Sequence, residues 1–259
     1  MTLPATRYPL FVLRRLVFAI VLASVADAQG RNDRVANYTI DNVAYDGRFS
    51  FVRLRFDPIG GDAGFGGRPD LKWDHDYPRG ERNLMKIVSE LTTLRPHLVK
   101  SNVLRIDDPE LMKHPVAYMA EPGFLQMSEK EVAALRAYLL KGGFLIFDDF
   151  AGAHWMNFAS QMRRVLPDSR PIEIDVSHPI FDAFYRIESL EFGAPYGMPP
   201  RYLGIFQDND PNKRLMAIVN YNNDIGDYWE FSDEGWLPVE STNEAYKLGV
   251  NYVMYAMTH

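Results

Sequence analysis

The chain has no cysteine among its 259 residues. That absence removes disulfides, thiolate nucleophiles and cysteine-ligated metals together. Basic charge is also scarce: 28 Lys and Arg stand against 34 Asp and Glu, a formal net charge of −6. Nucleic acids are held by clustered Lys and Arg, and no such run interleaved with aromatics occurs, so nucleic acid is not an expected partner. The chain has no Gly-x-Ser-x-Gly elbow and no Walker sequence. Its glycine-rich stretch, Gly60-Gly61-Asp62-Ala63-Gly64-Phe65-Gly66-Gly67, misses the dinucleotide spacing and ends well before the next helix. No cofactor is therefore expected. Asp208-Asn209-Asp210-Pro211-Asn212 opens like a calcium loop, but Lys213 stands where that loop needs glycine and Val219 where it needs glutamate. It reads as a turn between strands.

At the N-terminus, Arg7, Arg14 and Arg15 precede an apolar run from Leu16 to Val25, and Ala26-Asp27-Ala28 follows as an A-x-A cleavage pattern. This is the layout of a secretory signal peptide over 1–28, cleaved after Ala28, and the expected destination is the periplasm or the exterior. The apolar run is shorter than the ~20 residues of an ordinary membrane span. Cleavage removes three arginines and one aspartate, which takes the formal charge from −6 to −8. Residues 29–47 read as a polar lead-in, and 48–259 as a single α/β domain. At 47% hydrophobic, that domain can bury a sizeable core without disulfides.

Strand and helix patterns alternate along the domain. Phe49–Phe56 reads as a strand, with Arg53 and Arg55 alternating against Val52, Leu54 and Phe56. A long loop runs from Asp57 to Gly80. Leu84, Ile87, Val88, Leu91 and Leu94 then form a helical stripe closed by Pro96. Val103–Ile106 and Val116–Ala120 are short strands. Ser128 and Glu131 make a capping box, and Gly142-Gly143 end the helix that it starts. Phe144-Leu145-Ile146-Phe147 has no polar alternation, the mark of a strand buried on both faces. A helix over Trp155–Leu166, strands at 172–174, 202–206 and 215–219, and a helix from about Thr242 to Met257 complete the chain. The alternation predicts a three-layer α/β sandwich with a mostly parallel sheet.

In such a sheet ligands bind beyond the carboxyl ends of the strands, and those ends carry acidic and polar groups here. Trp73, Asp74, His75, Asp76 and Tyr77 follow the first strand, Glu121 follows Ala120, and Asn222 and Asn223 follow Val219; all are candidates for ligand binding. Asp148 and Asp149 end the most buried strand, with His154 just beyond. A desolvated carboxylate at such a strand end suits acid–base work or cation binding, so Asp148, Asp149 and His154 are the catalytic candidates. Asp74, His75, Asp148 and Asp149 are the candidate metal ligands. The plainer alternative is that these carboxylates cap helices, Asp149 capping the one near His154. Tyr228 and Trp229 are candidates for an exposed docking surface.

The segments Phe51–Phe56, Trp73-Asp74-His75-Asp76-Tyr77-Pro78, Leu84–Leu94 and Lys141–Asp149 together resemble the bacterial family named domain of unknown function 4159. The resemblance spans roughly 48–258. It implies a flavodoxin-like sandwich related to class I glutamine amidotransferases, and partners among membrane-anchored or periplasmic proteins. Those amidotransferases use a cysteine nucleophile, which this chain lacks, so their glutamine hydrolysis is excluded. Two functions are therefore expected: a non-catalytic periplasmic binding or accessory module with a small-molecule or glycan ligand, or a metal- or carboxylate-dependent hydrolase of the cell envelope.

Overall fold

A computed structural model of the protein describes residues 40–61 and 69–259. The signal-peptide pattern, the first part of the lead-in and most of the glycine-rich loop lie outside the described residues. The strands are β1 (Val52–Arg55), β2 (Asp57–Pro58), β3 (Asn102–Arg105), β4 (Val116–Ala120), β5 (Leu125–Gln126), β6 (Phe144–Phe150), β7 (Ile172–Glu173), β8 (Arg201–Phe206) and β9 (Leu215–Tyr221). The helices are α1 (Arg79–Leu91), α2 (Glu129–Leu140), α3 (His154–Val165), α4 (Ile225–Glu230) and α5 (Val239–Thr258).

Seven strands form one sheet in the order β3-β1-β4-β6-β9-β8-β7. The first five are parallel, and β8 and β7 extend the edge antiparallel. Counted along the chain, the parallel strands lie 2-1-3-4-5, the flavodoxin-like order, with the topological switch point between β1 and β4. The unbroken apolar run becomes β6, buried along its whole length at the centre of the sheet. Apolar side chains of α1, α4 and α5 share a core with one face of the sheet, including Tyr118, Ile146 and Ile218. Phe147, which alternates with Ile146, meets Phe158 of α3 on the other face, where α2 and α3 pack together. The molecule is thus a three-layer α/β sandwich with a mostly parallel sheet.

Sequence and structure differ in details that follow from tertiary contacts. Helix α1 begins five residues before Leu84, and Gly80 and Glu81 in its first turns are buried with Leu84, Met85 and Val88. Within the long loop after β1, Asp57–Pro58 pairs antiparallel with β5. Tyr228 and Trp229 form no docking surface, because both rings are buried and Trp229 Nε1 donates to Ala245 O at 3.0 Å. The 208–212 segment lies between β8 and β9, as a turn should.

The capping box of α2 is formed as the sequence predicts. Glu131 N donates to Ser128 Oγ at 3.3 Å, and Ser128 N to Glu131 Oε2 at 2.9 Å. Replacing Ser128 with Ala leaves an orphan amide at the helix start, so chemical denaturation should show a loss of about 1 kcal/mol.

Candidate functional site

The site is assembled from the loops after β1 and β4 and the end of β6, at the switch point and its neighbour. The loop after β1 is held from beneath by Arg53, whose side chain is buried against the expectation set by its alternation with apolar residues. Its Nε donates to Glu81 Oε1 at 2.6 Å, and its Nη1 to the carbonyls of Trp73 at 3.0 Å and His75 at 2.7 Å. The guanidinium also lies 4.8 Å from the centre of the Tyr118 ring. One cation thus ties strand, loop and helix α1 together, and it delivers His75 and Asp76 to the rim.

Asp148 and Asp149 are sequence neighbours with opposite fates. The β6–β9 register shifts between Phe147 and Phe150, and Asp149 takes left-handed backbone with φ 59°. Such irregularities re-aim side chains at strand ends. Asp148 turns inward, fully buried, and accepts from Tyr118 Oη at 2.9 Å, Asn220 Nδ2 at 3.1 Å and the amides of Ile225 and Gly226 at 3.0 Å each. It holds the start of α4. Burial and the charge of Asp149 push its pKa up to about 7, and the Tyr118, Ile225 and Gly226 donors oppose that rise.

Asp149 turns to the rim. Its Oδ2 lies 3.0 Å from His75 Nδ1, and its Oδ1 accepts a short hydrogen bond from Tyr196 Oη. His75 Nε2 is 3.1 Å from Asp70 Oδ1, so both ring nitrogens face carboxylates. Burial opposes a charge on this imidazole, but Asp149, Asp76 and Glu121 outweigh it and bring the pKa to about 10. Glu121 Oε1 lies 3.6 Å from His75 Nδ1 and 3.9 Å from Lys72 Nζ. Burial and the Asp149 charge push Glu121 up to about 7. Lys72 completes the ring of charges with a 2.6 Å contact to Asp70.

Behind this rim lies a second, deeper group. Carboxylate oxygens of Asp76, Asp149 and Asp224 lie within 4.8 Å of one another, and all three residues are buried. Like charges at such a separation repel by roughly 3–4 kcal/mol at an effective dielectric of about 20. Burial, reinforced by the neighbouring carboxylates, raises the pKa of both Asp76 and Asp224 well above the ordinary carboxylate range. His75, Glu121 and Asp149 make another three-residue set with metal-ligand spacing, and so do Asp76, Asp227 and Glu230.

Of the candidates read from sequence, the structure brings together His75, Asp76, Glu121 and Asp149. Asp74 and Asp148 join none of the metal-capable sets among the described residues. His154 packs its ring on Phe124, with centroids 4.5 Å apart, and burial lowers its pKa. It opens α3, whose N-terminus receives no side-chain cap, so Asp149 is not a cap there. Trp73 is buried and Tyr77 lies beside it, with ring centroids 6.3 Å apart. Asn222 and Asn223 secure loops: Asn222 donates to Pro199 O at 3.2 Å, and Asn223 to Tyr202 Oη at 2.9 Å. No local sequence pattern marks Arg53, Lys72, Asp70, Tyr196 or Asp224 as site residues.

A family model described as domain of unknown function (DUF4159) matches residues 51–257. No curated protein matches the chain.

Proposed function

The chain belongs to the family described as domain of unknown function (DUF4159), and we propose that it is a hydrolase whose working groups converge on Asp149 at the carboxyl rim. One observation carries this reading. Lys72, Asp76, Glu121 and Asp149, which form the rim and the carboxylate cluster behind it, all hold left-handed backbone, with φ of 64°, 65°, 49° and 59°. Left-handed backbone is uncommon outside glycine, and strained conformations of order 1–3 kcal/mol each cluster at sites where geometry serves function. Here the strain aims four charged side chains, from two loops and the end of β6, at one region.

The division of labour follows from position. His75, fixed between Asp149 and Asp70, presents a rigid cation beside the reacting group. Glu121 and Asp149 flank it as the carboxyl groups within reach of a substrate and an attacking water. At the rim Asp70 and Asp149 stand against Lys72 and His75, and Glu121 is raised to about 7, so the rim carries little net charge and favours an uncharged substrate over a polyanion. An uncharged glycan of the cell envelope fits that balance and the export signal read at the N-terminus.

The test is a hydrolysis panel of envelope glycans and simple glycosides, run on wild type, Asp149→Asn and Glu121→Gln. Turnover by wild type that falls roughly 10²–10⁴-fold in either variant supports the reading. Turnover indifferent to both variants places the chemistry elsewhere. The competing reading is a non-catalytic binding module on an amidotransferase-like scaffold. It is favoured by the full engagement of both His75 nitrogens, and saturable glycan binding without hydrolysis would establish it.

A further inference from the structure

We propose that Asp76, Asp149 and Asp224 hold a hard divalent cation, of the magnesium, manganese or calcium class, at the buried carboxylate cluster behind the rim. Their oxygens lie within 4.8 Å of one another, a span that one ion bonded at about 2.0–2.6 Å to each can bridge. The decisive observation is Asp76. It is 7% exposed, and its Oδ2 is buried with no hydrogen-bond partner. Buried carboxylates are paired, hydrogen-bonded or metal-bound, and the donors nearby are committed elsewhere. Tyr118 Oη and the Gly226 amide both donate to Asp148. Arg53 donates to Glu81 and to the two loop carbonyls.

Space for the arrangement is built into α4. A Cβ at residue 226 would stand 2.2 Å from Asp76 Oδ2, so only glycine there lets the carboxylate lie against the helix. Asp227 and Glu230 add further negative charge around Asp76. The ligands are oxygens only, because both nitrogens of His75 are turned to Asp149 and Asp70. Oxygen-only sets select hard cations over zinc or copper. Asp149 would then join the cation to the rim. The site can be measured without any substrate, so its test is independent of whether the rim hydrolyses anything.

The experiment is a titration of the chelator-stripped full chain with Mn²⁺, followed by the electron paramagnetic resonance signal of free ion, with Mg²⁺ and Ca²⁺ as competitors. One Mn²⁺ per chain is expected, with affinity reduced tenfold or more in Asp76→Asn and in Asp224→Asn. Asp107→Asn, a carboxylate outside the group, should bind as wild type does. Calorimetric unfolding of the two cluster variants without metal checks that they fold, and both should lose the rise in Tm that wild type shows with saturating cation. The absence of stoichiometric binding would overturn the proposal and leave shared protons as the means of neutralising the cluster. Binding unchanged in both variants would overturn it equally, by locating the ion elsewhere.

Discussion

Replacing Arg53 with methionine should cost the fold about 3–5 kcal/mol in urea denaturation, one of the two largest losses expected of any single change here. The Arg53 and Glu81 side chains are 2% and 1% exposed, so removing the cation strands a buried carboxylate. It also leaves the carbonyls of Trp73 and His75 without the donor that reaches them at 3.0 and 2.7 Å. Methionine fills much of the same volume, which confines the effect to charge and hydrogen bonding. Combining it with Glu81→Gln should recover part of the loss, because the two residues form one network and their effects are not additive. A loss below 1 kcal/mol would mean that the loop carrying His75 and Asp76 is positioned by something other than Arg53.

Asp148→Asn should cost roughly 2–4 kcal/mol. The Asp148 carboxylate is surrounded by donors: Tyr118 Oη, Asn220 Nδ2 and the Ile225 and Gly226 amides. An asparagine has one accepting oxygen and one donating amide, so in either orientation its NH₂ faces donors. The unsatisfied groups are buried, where each costs about 1–3 kcal/mol and charged partners cost more. The damage should centre on the start of α4, which amide exchange would register at Ile225 and Gly226. A near-neutral result would show that Asp148 enters the fold protonated and already donates one of these bonds.

Local chemistry made most of the fold legible. Ser128 and Glu131 marked the start of α2, and the unbroken run Phe144–Phe147 marked the central strand. The pair Asp148-Asp149 identified the rim, but no local pattern divides their roles. That division comes from the register shift against β9 and from the left-handed backbone at Asp149, which belong to strand pairing and not to sequence periodicity. The same reason hid Arg53. Its alternation with Val52 and Leu54 looked like a polar face, but the loop over 73–76 covers that face and uses the cation. Tyr196 reaches Asp149 from 47 residues away along the chain, in a loop with no periodic signal. Asp224 resembles an ordinary helix cap, which it also is, since it accepts from Asp227 N at 3.0 Å.

On the proposed function, the rim around Asp149 serves chemistry and not the stability of the fold. The unfolding free energy of Asp149→Asn tests it most directly. Asparagine tolerates left-handed backbone and keeps one oxygen to accept from Tyr196 Oη, and relief of the repulsion among Asp76, Asp149 and Asp224 offsets the lost charge opposite His75 Nδ1. The variant should therefore be as stable as wild type within about 1 kcal/mol, or more stable, as expected where a functional site is strained. A loss as large as that of Asp148→Asn would contradict the claim and make Asp149 another structural carboxylate.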